Sequence, residues 1–245
     1  MDSSVLAWWF CPNDRKLGHG DGRRVVIGTT HTIEGKLVLC KNALHGAICA
    51  LDALECAGGS ILYRIQTGGD IEYKFGSTNF GAHSRTYLAG ANATEMLWAF
   101  IRRCALDIIR FWDASNAMRQ FLYTGDEALR LQSLTEASTR TISTVKVLTL
   151  VQEEVTAQMA AQTAIASLAK VVTQISMTRT AEAATAAWAA SARAALIWAW
   201  VAWTPWMTRM TPTGTTETAR MNAKVRYTSW LETDCRALLN LGADE

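Results

Sequence analysis

Apolar and polar positions along this chain follow two different patterns, which change over near residue 90. Before that point the apolar residues come in short runs. Arg24-Val25-Val26-Ile27 reads as a strand, and Thr29 to Ile33 as a second, because Thr30 and Thr32 alternate with His31 and Ile33. Lys36 to Cys40 reads as a third. Leu44 to Cys56 then shifts to helical spacing, with Leu44, Ile48, Leu51 and Leu54 or Glu55 on one side. Gly58-Gly59 ends that helix, and Ser60 to Gln66 returns to the sheet. Thirteen of the sixteen glycines lie in residues 1–90, which marks the stretch as strands and turns where the backbone needs positive φ.

A 3.6-residue period begins near Asn92. Asn92 followed by Glu95 has the outline of a capping box, and Leu97, Phe100, Ile101, Cys104, Ile108, Phe111 and Trp112 form an apolar stripe. Asp113 to Asn116 is a turn, and a short helix follows to Tyr123, stopped by Gly125. Asp126 to Thr204 is a run of 79 residues without Gly or Pro. As one rod it would be roughly 118 Å long, so two or three antiparallel helices are expected. Their breaks are expected in the hydroxyl-rich stretches Ser138–Thr144 and Thr173–Thr180. The predicted fold class is therefore α+β. A small glycine-rich, β-containing domain (residues 1–92) precedes an antiparallel all-helical region (93–245), with helices at about 93–112, 117–124, 126–204 (broken) and 217–240.

Composition narrows the functional classes. With 49% hydrophobic and 19% charged residues the chain is able to bury a core, which excludes wholesale disorder. Lys plus Arg number 24 against 22 Asp plus Glu, and a net charge of +2 does not favour nucleic acid as a partner. Cys11, Cys40, Cys49, Cys56, Cys104 and Cys235 are irregularly spaced and include no Cys-x-x-Cys pair, as expected of reduced thiols in a cytoplasm. Met1 to Phe10 holds no Lys or Arg, so the basic start of a secretory signal is missing.

Several segments carry a family likeness. They are Leu17-Gly18-His19-Gly20-Asp21-Gly22-Arg23, Glu34-Gly35-Lys36-Leu37-Val38-Leu39-Cys40, Leu44-His45 and Leu51-Asp52-Ala53-Leu54, all in the first half. Ile61 to Ile65 with Gly69-Asp70-Ile71, and Arg85-Thr86-Tyr87-Leu88 leading into Ala93-Thr94, continue the series. Tyr123-Thr124-Gly125-Asp126-Glu127 and Ala186-Ala187-Trp188-Ala189-Ala190 extend it into the second half. The chain resembles an uncharacterised family encoded by tailed bacteriophages and prophages. In that family a domain of unknown function precedes an Ala- and Trp-rich helical region sometimes labelled an immunity protein. The resemblance implies a phage or prophage origin, a bacterial cytoplasm and a two-part architecture, and it implies no activity. Ala43 departs from the family pattern, standing where a glycine precedes Leu44-His45.

Candidate chemistry is sparse. On a helix starting near Leu44, His45, Cys49, Asp52 and Cys56 would share one face with Cys40 close by, a set of donors that Zn²⁺ accepts. The spacing fits no zinc module, and packing cysteines with no bound metal or other cofactor are expected. A strand–His–helix–strand order with Tyr63, Tyr87 and Phe75-Gly76-Ser77-Thr78 is loosely similar to ADP-ribosyltransferase-like folds. In that reading Glu72, His45 and Tyr63 are the catalytic candidates. Gly18-His19-Gly20-Asp21-Gly22 precedes a strand and lacks the Lys-Ser/Thr of a phosphate loop, so it reads as a turn. Trp188, Trp198, Trp200, Trp203 and Trp206 are half of the ten tryptophans, and Ala183 to Trp203 carries a single charge, Arg193. A membrane span is conceivable on length alone, but alanine drives insertion weakly and Arg193 opposes it. The five tryptophans are expected instead in a soluble bundle or an interface. The expected function is an accessory protein that acts by binding a host or phage protein or by assembling with itself. An ADP-ribosyltransferase-like enzyme and a membrane-active protein are the alternatives.

Overall fold

The continuous apolar run Val5-Leu6-Ala7-Trp8-Trp9-Phe10-Cys11 is the strand on which the fold is built. A computed structural model describes residues 4–18, 21–107, 109, 114–140 and 213–242 of the chain. Its elements are β1 (Val5–Cys11), β2 (Thr30–Thr32), β3 (Leu44–Ala47), α1 (Ala50–Glu55), β4 (Ile61–Tyr73), β5 (Asn79–Asn92), α2 (Thr94–Asp107), α3 (Asn116–Thr124), α4 (Glu127–Arg140) and α5 (Thr213–Leu239).

All five strands pair antiparallel in one sheet. β1 pairs with β4 from Val5↔Thr67 to Cys11↔Ile61, and with β3 at Trp8↔Ala47. β5 pairs with β4 along the hairpin they form, and with β3 from Leu44↔Ala82 to Ala47↔Asn79. The pairings therefore close in a ring, β1–β4–β5–β3–β1, and among the described strands β2 pairs with β5 alone. Closing so few strands demands sharp bending. The long hairpin supplies it through register shifts between Arg64 and Ile65 and between Gly68 and Ile71, since a bulge kinks its strand and increases local twist.

Directly opposed residues share a face, so the register sorts the side chains. Ala7, Cys11, Ile61, Tyr63, Ile65 and Tyr87 lie on the inner face, joined there by Leu44, Phe80 and Ala82 and by Leu17 and Val25 from the β1–β2 connection. Trp8, Phe10, Leu62 and Arg64 lie on the other face. α1 packs there on β1 with Leu51 and Leu54 buried. Glu232 of α5 reaches the same face, where its carboxylate accepts from Trp8 Nε1 at 2.6 Å and from the Ala50 backbone N–H at 3.1 Å.

Among the described residues, those up to Trp98 and from Thr228 onward belong to one compact unit, and those from Ala99 to Arg140 and from Thr213 to Tyr227 to a second. In the second unit Ser115 caps α3 by accepting from the Met118 N–H, Gly125 ends it in the left-handed region, and α4 packs on α3. Asp107 there accepts from the Tyr227 hydroxyl at 2.8 Å and pairs with Arg226 at 2.8 Å.

These findings correct the expected fold class. The described core is a predominantly β, five-stranded antiparallel sheet with a few helices, and not a small α+β domain followed by a separate all-helical region. The end of α5, expected among antiparallel helices, instead joins the unit of the sheet. Leu44–Ala47 is strand, and the helix begins only at Ala50, because Leu44 faces the inner core and Gly46 must pass close to Ile65 and Phe80. Arg24 and Val38 make only isolated bridges, to Lys16 and Asn42. Of the stripe on α2, Leu97, Phe100, Ile101 and Cys104 are buried. The expected helices between 141 and 204 and their breaks at 141–144 and 173–180 lie outside the described residues.

Candidate functional site

One end of the inner face gathers a cation and four rings. β5 places Arg85 and Tyr87 two residues apart on the same face, β1 contributes Trp9, β4 contributes Tyr63, and β2 contributes His31 opposite Arg85. Arg85 is only 2% exposed. Its guanidinium carbon sits 3.7 Å from the centre of the Trp9 ring. Its Nε and Nη2 donate to the Tyr87 hydroxyl at 3.2 and 3.1 Å, and its Nη1 donates to the His45 carbonyl at 2.6 Å. Among the described residues no carboxylate bonds to it. Burying an unpaired charge is costly, and here π faces and neutral oxygens replace the missing acid.

The same hydrogen bonds fix a proton. Arginine only donates, so the Tyr87 oxygen already accepts twice and must use its own O–H toward His31 Nδ1, 2.9 Å away. His31 is then the acceptor and carries its proton on Nε2. Burial, with Arg23 and Arg85 adding to it, accordingly holds His31 below the ordinary histidine value. Arg23 grips Asp21 with Nε and Nη2, both at 2.7 Å, and donates from Nη1 to the Thr32 carbonyl, tying the preceding turn to the end of β2.

Burial raises Tyr87 and Tyr63 above the usual phenol range and pushes the Cys11 thiol up to about 12. Burial thus disfavours the ionised form of each of these three groups. The arrangement holds a defined tautomer and a buried cation.

The residues singled out by sequence are dispersed. His45 and Glu72 stand on either side of Gly81, on the face away from Tyr63, which is opposed to Trp9. The three catalytic candidates therefore do not converge, and His45 enters the cluster through its backbone carbonyl. Cys40 is exposed in a tight turn with φ 63°, Cys56 is exposed at the end of α1, and Cys49 precedes α1 with its thiol 3.7 Å from Thr228 Oγ1. Among the described residues no three His, Cys, Asp or Glu side chains are grouped to hold a metal. Asp52, expected beside those cysteines, instead accepts from the Thr78 N–H and Thr78 hydroxyl, both at 2.8 Å, and from Ser77 at 3.3 Å.

Those bonds tie α1 to the β4–β5 turn, where Phe75-Gly76-Ser77-Thr78 forms the tip of the hairpin. Phe75 there is fully exposed, 103% of its reference area, and Tyr73 and Ile48 are about half exposed, at 49% and 47%. The Ile48 N–H donates to the Thr78 carbonyl, which brings Ile48 to the base of the same turn. Trp188, Trp198, Trp200, Trp203 and Trp206 lie outside the described residues. Among the described residues no helix is long and apolar enough to cross a membrane.

Sequence reasoning passed over Trp9, His31, Arg85 and Phe75 as site residues. The available signal was Arg85-x-Tyr87, a spacing that puts both side chains on one face of a strand. No protein-family profile, curated protein or solved structure matches the chain.

Proposed function

We propose that this chain is a protein-binding module, a phage- or prophage-encoded accessory protein that works by contact in the cytoplasm of a bacterial host. The observation that carries the reading is Phe75, an entire aromatic side chain in water at the tip of a hairpin braced by Asp52. Large aromatic side chains presented on a rigid support are the usual energetic centres of interfaces, and Tyr73 and Ile48, on the segments that lead to the same turn, are also half exposed. The rings of the inner face, with their raised thiol and phenols, support a structural role for that cluster more than a reactive one.

The test compares wild-type protein with Phe75→Asp, both as bait in extracts of infected host cells and alone by light scattering. Loss of one stoichiometric partner, or of a self-assembled species, with an unchanged melting temperature supports the reading. Identical partners and an identical mass for both proteins would overturn it.

A further inference from the structure

We propose that His31 is a pH-operated latch on β2. Neutral, it accepts the Tyr87 proton and holds the strand against β5; protonated, it leaves that site and β2 detaches. The warrant is geometric. β2 has three residues in register, all with β5, and among the described residues no other strand pairs with it. Its side-chain ties are His31 to Tyr87 and Thr30 to Thr86 at 2.7 Å, with Arg23 holding the Thr32 carbonyl.

A protonated imidazole has two N–H groups and no acceptor. Its Nδ1–H would face a Tyr87 oxygen that already takes two bonds from Arg85 and still carries its own proton. The charged groups around the ring point the same way. Arg23, from the β1–β2 connection, and Arg85, from β5, repel an imidazolium. Asp21, the acid that favours one, has its carboxylate gripped by Arg23. Tyr87 and Tyr63, behind the ring, stay neutral phenols. The turn is simple to make on the outside, because His31 is part-exposed and needs only to swing into water.

The sign follows from linkage. The open strand carries an ordinary histidine with a pKa near 6.5, and the closed strand a lower one. Closure is therefore undiminished above about pH 6.5 and weakens as the pH falls through the window below, where the open form binds the extra proton.

Amide exchange, corrected for its intrinsic pH dependence, tests this on the intact protein. The reporters are the Ile33 N–H, bonded to the His83 carbonyl, and the Tyr87 N–H, bonded to the Thr29 carbonyl. Their protection should hold above about pH 6.5 and fall by up to about tenfold per pH unit below it, while amides of the β1–β4 ladder stay protected. In His31→Asn, whose amide oxygen stands at the position of Nδ1 and can accept from Tyr87, the pH slope should vanish. A slope that persists in His31→Asn, or parallel loss of protection in β1 and β4, would overturn the latch. The His31 ring resonance in wild-type protein gives a second reading that needs no variant. A midpoint clearly below 6.5 supports the latch, and one at or above it refutes it.

Discussion

At the scale of single residues the inner face is set by very close approaches. Gly90 lies opposite Tyr63, and a Cβ built there would sit 2.5 Å from two carbons of the Tyr63 ring. The ring is wedged between Trp9 and Tyr87, with centroids 6.0 and 5.5 Å away, so it has little room to yield. Gly90→Ala should therefore destabilise the protein by about 1–3 kcal/mol, seen as a lower melting temperature. This constraint was not legible in the sequence, where Gly90 was one glycine among many. Arg85 hid for a related reason. Its position on a strand predicts exposure for a charged residue, and only the closing of the sheet turns that side chain inward onto Trp9.

At the scale of elements the sequence was readable where one face of a segment meets water and misleading where neither does. The Thr30–Thr32 strand, α3 with its Gly125 stop and the start of β4 all matched their patterns. β1 carries Trp8 and Phe10 to one face and Ala7 and Cys11 to the other, all buried, so no alternation betrays it. β5 is obscured by its bulge, which leaves Leu88 unpaired and half-exposed and shifts the inward positions from Tyr87 to Gly90. In Leu44–Cys56 the helical spacing was an accident of a strand running into the six-residue α1. That helix holds the hairpin through Asp52, and Asp52→Ala would strip an acceptor from the Thr78 N–H, the Thr78 hydroxyl and Ser77. A loss of about 1–3 kcal/mol is expected, with faster amide exchange at Thr78 as the local signature.

At the scale of the whole molecule one compact unit takes in residues up to Trp98 together with those from Thr228 onward, so the end of α5 belongs with the sheet. Patterning cannot see such a contact, because it ranks neighbours along the chain and Trp8 meets Glu232 across 224 positions. Glu232→Ala should cost about 1.5–3 kcal/mol, since two donors lose a charged acceptor, and should raise exchange along Thr228–Leu239 before the β1–β4 ladder responds. That one carboxylate also sets a schedule for synthesis. A ribosome adds about 5–20 residues per second, so on the order of ten seconds or more separate the emergence of Trp8 from that of its partner. For that interval α1 covers part of the outer face of β1, but Trp8 and the Ala50 N–H lack the carboxylate they donate to. The hairpin, the inner rings and α1 can form early, but this corner of the outer side must wait for the last helix or be shielded by something else in the cell.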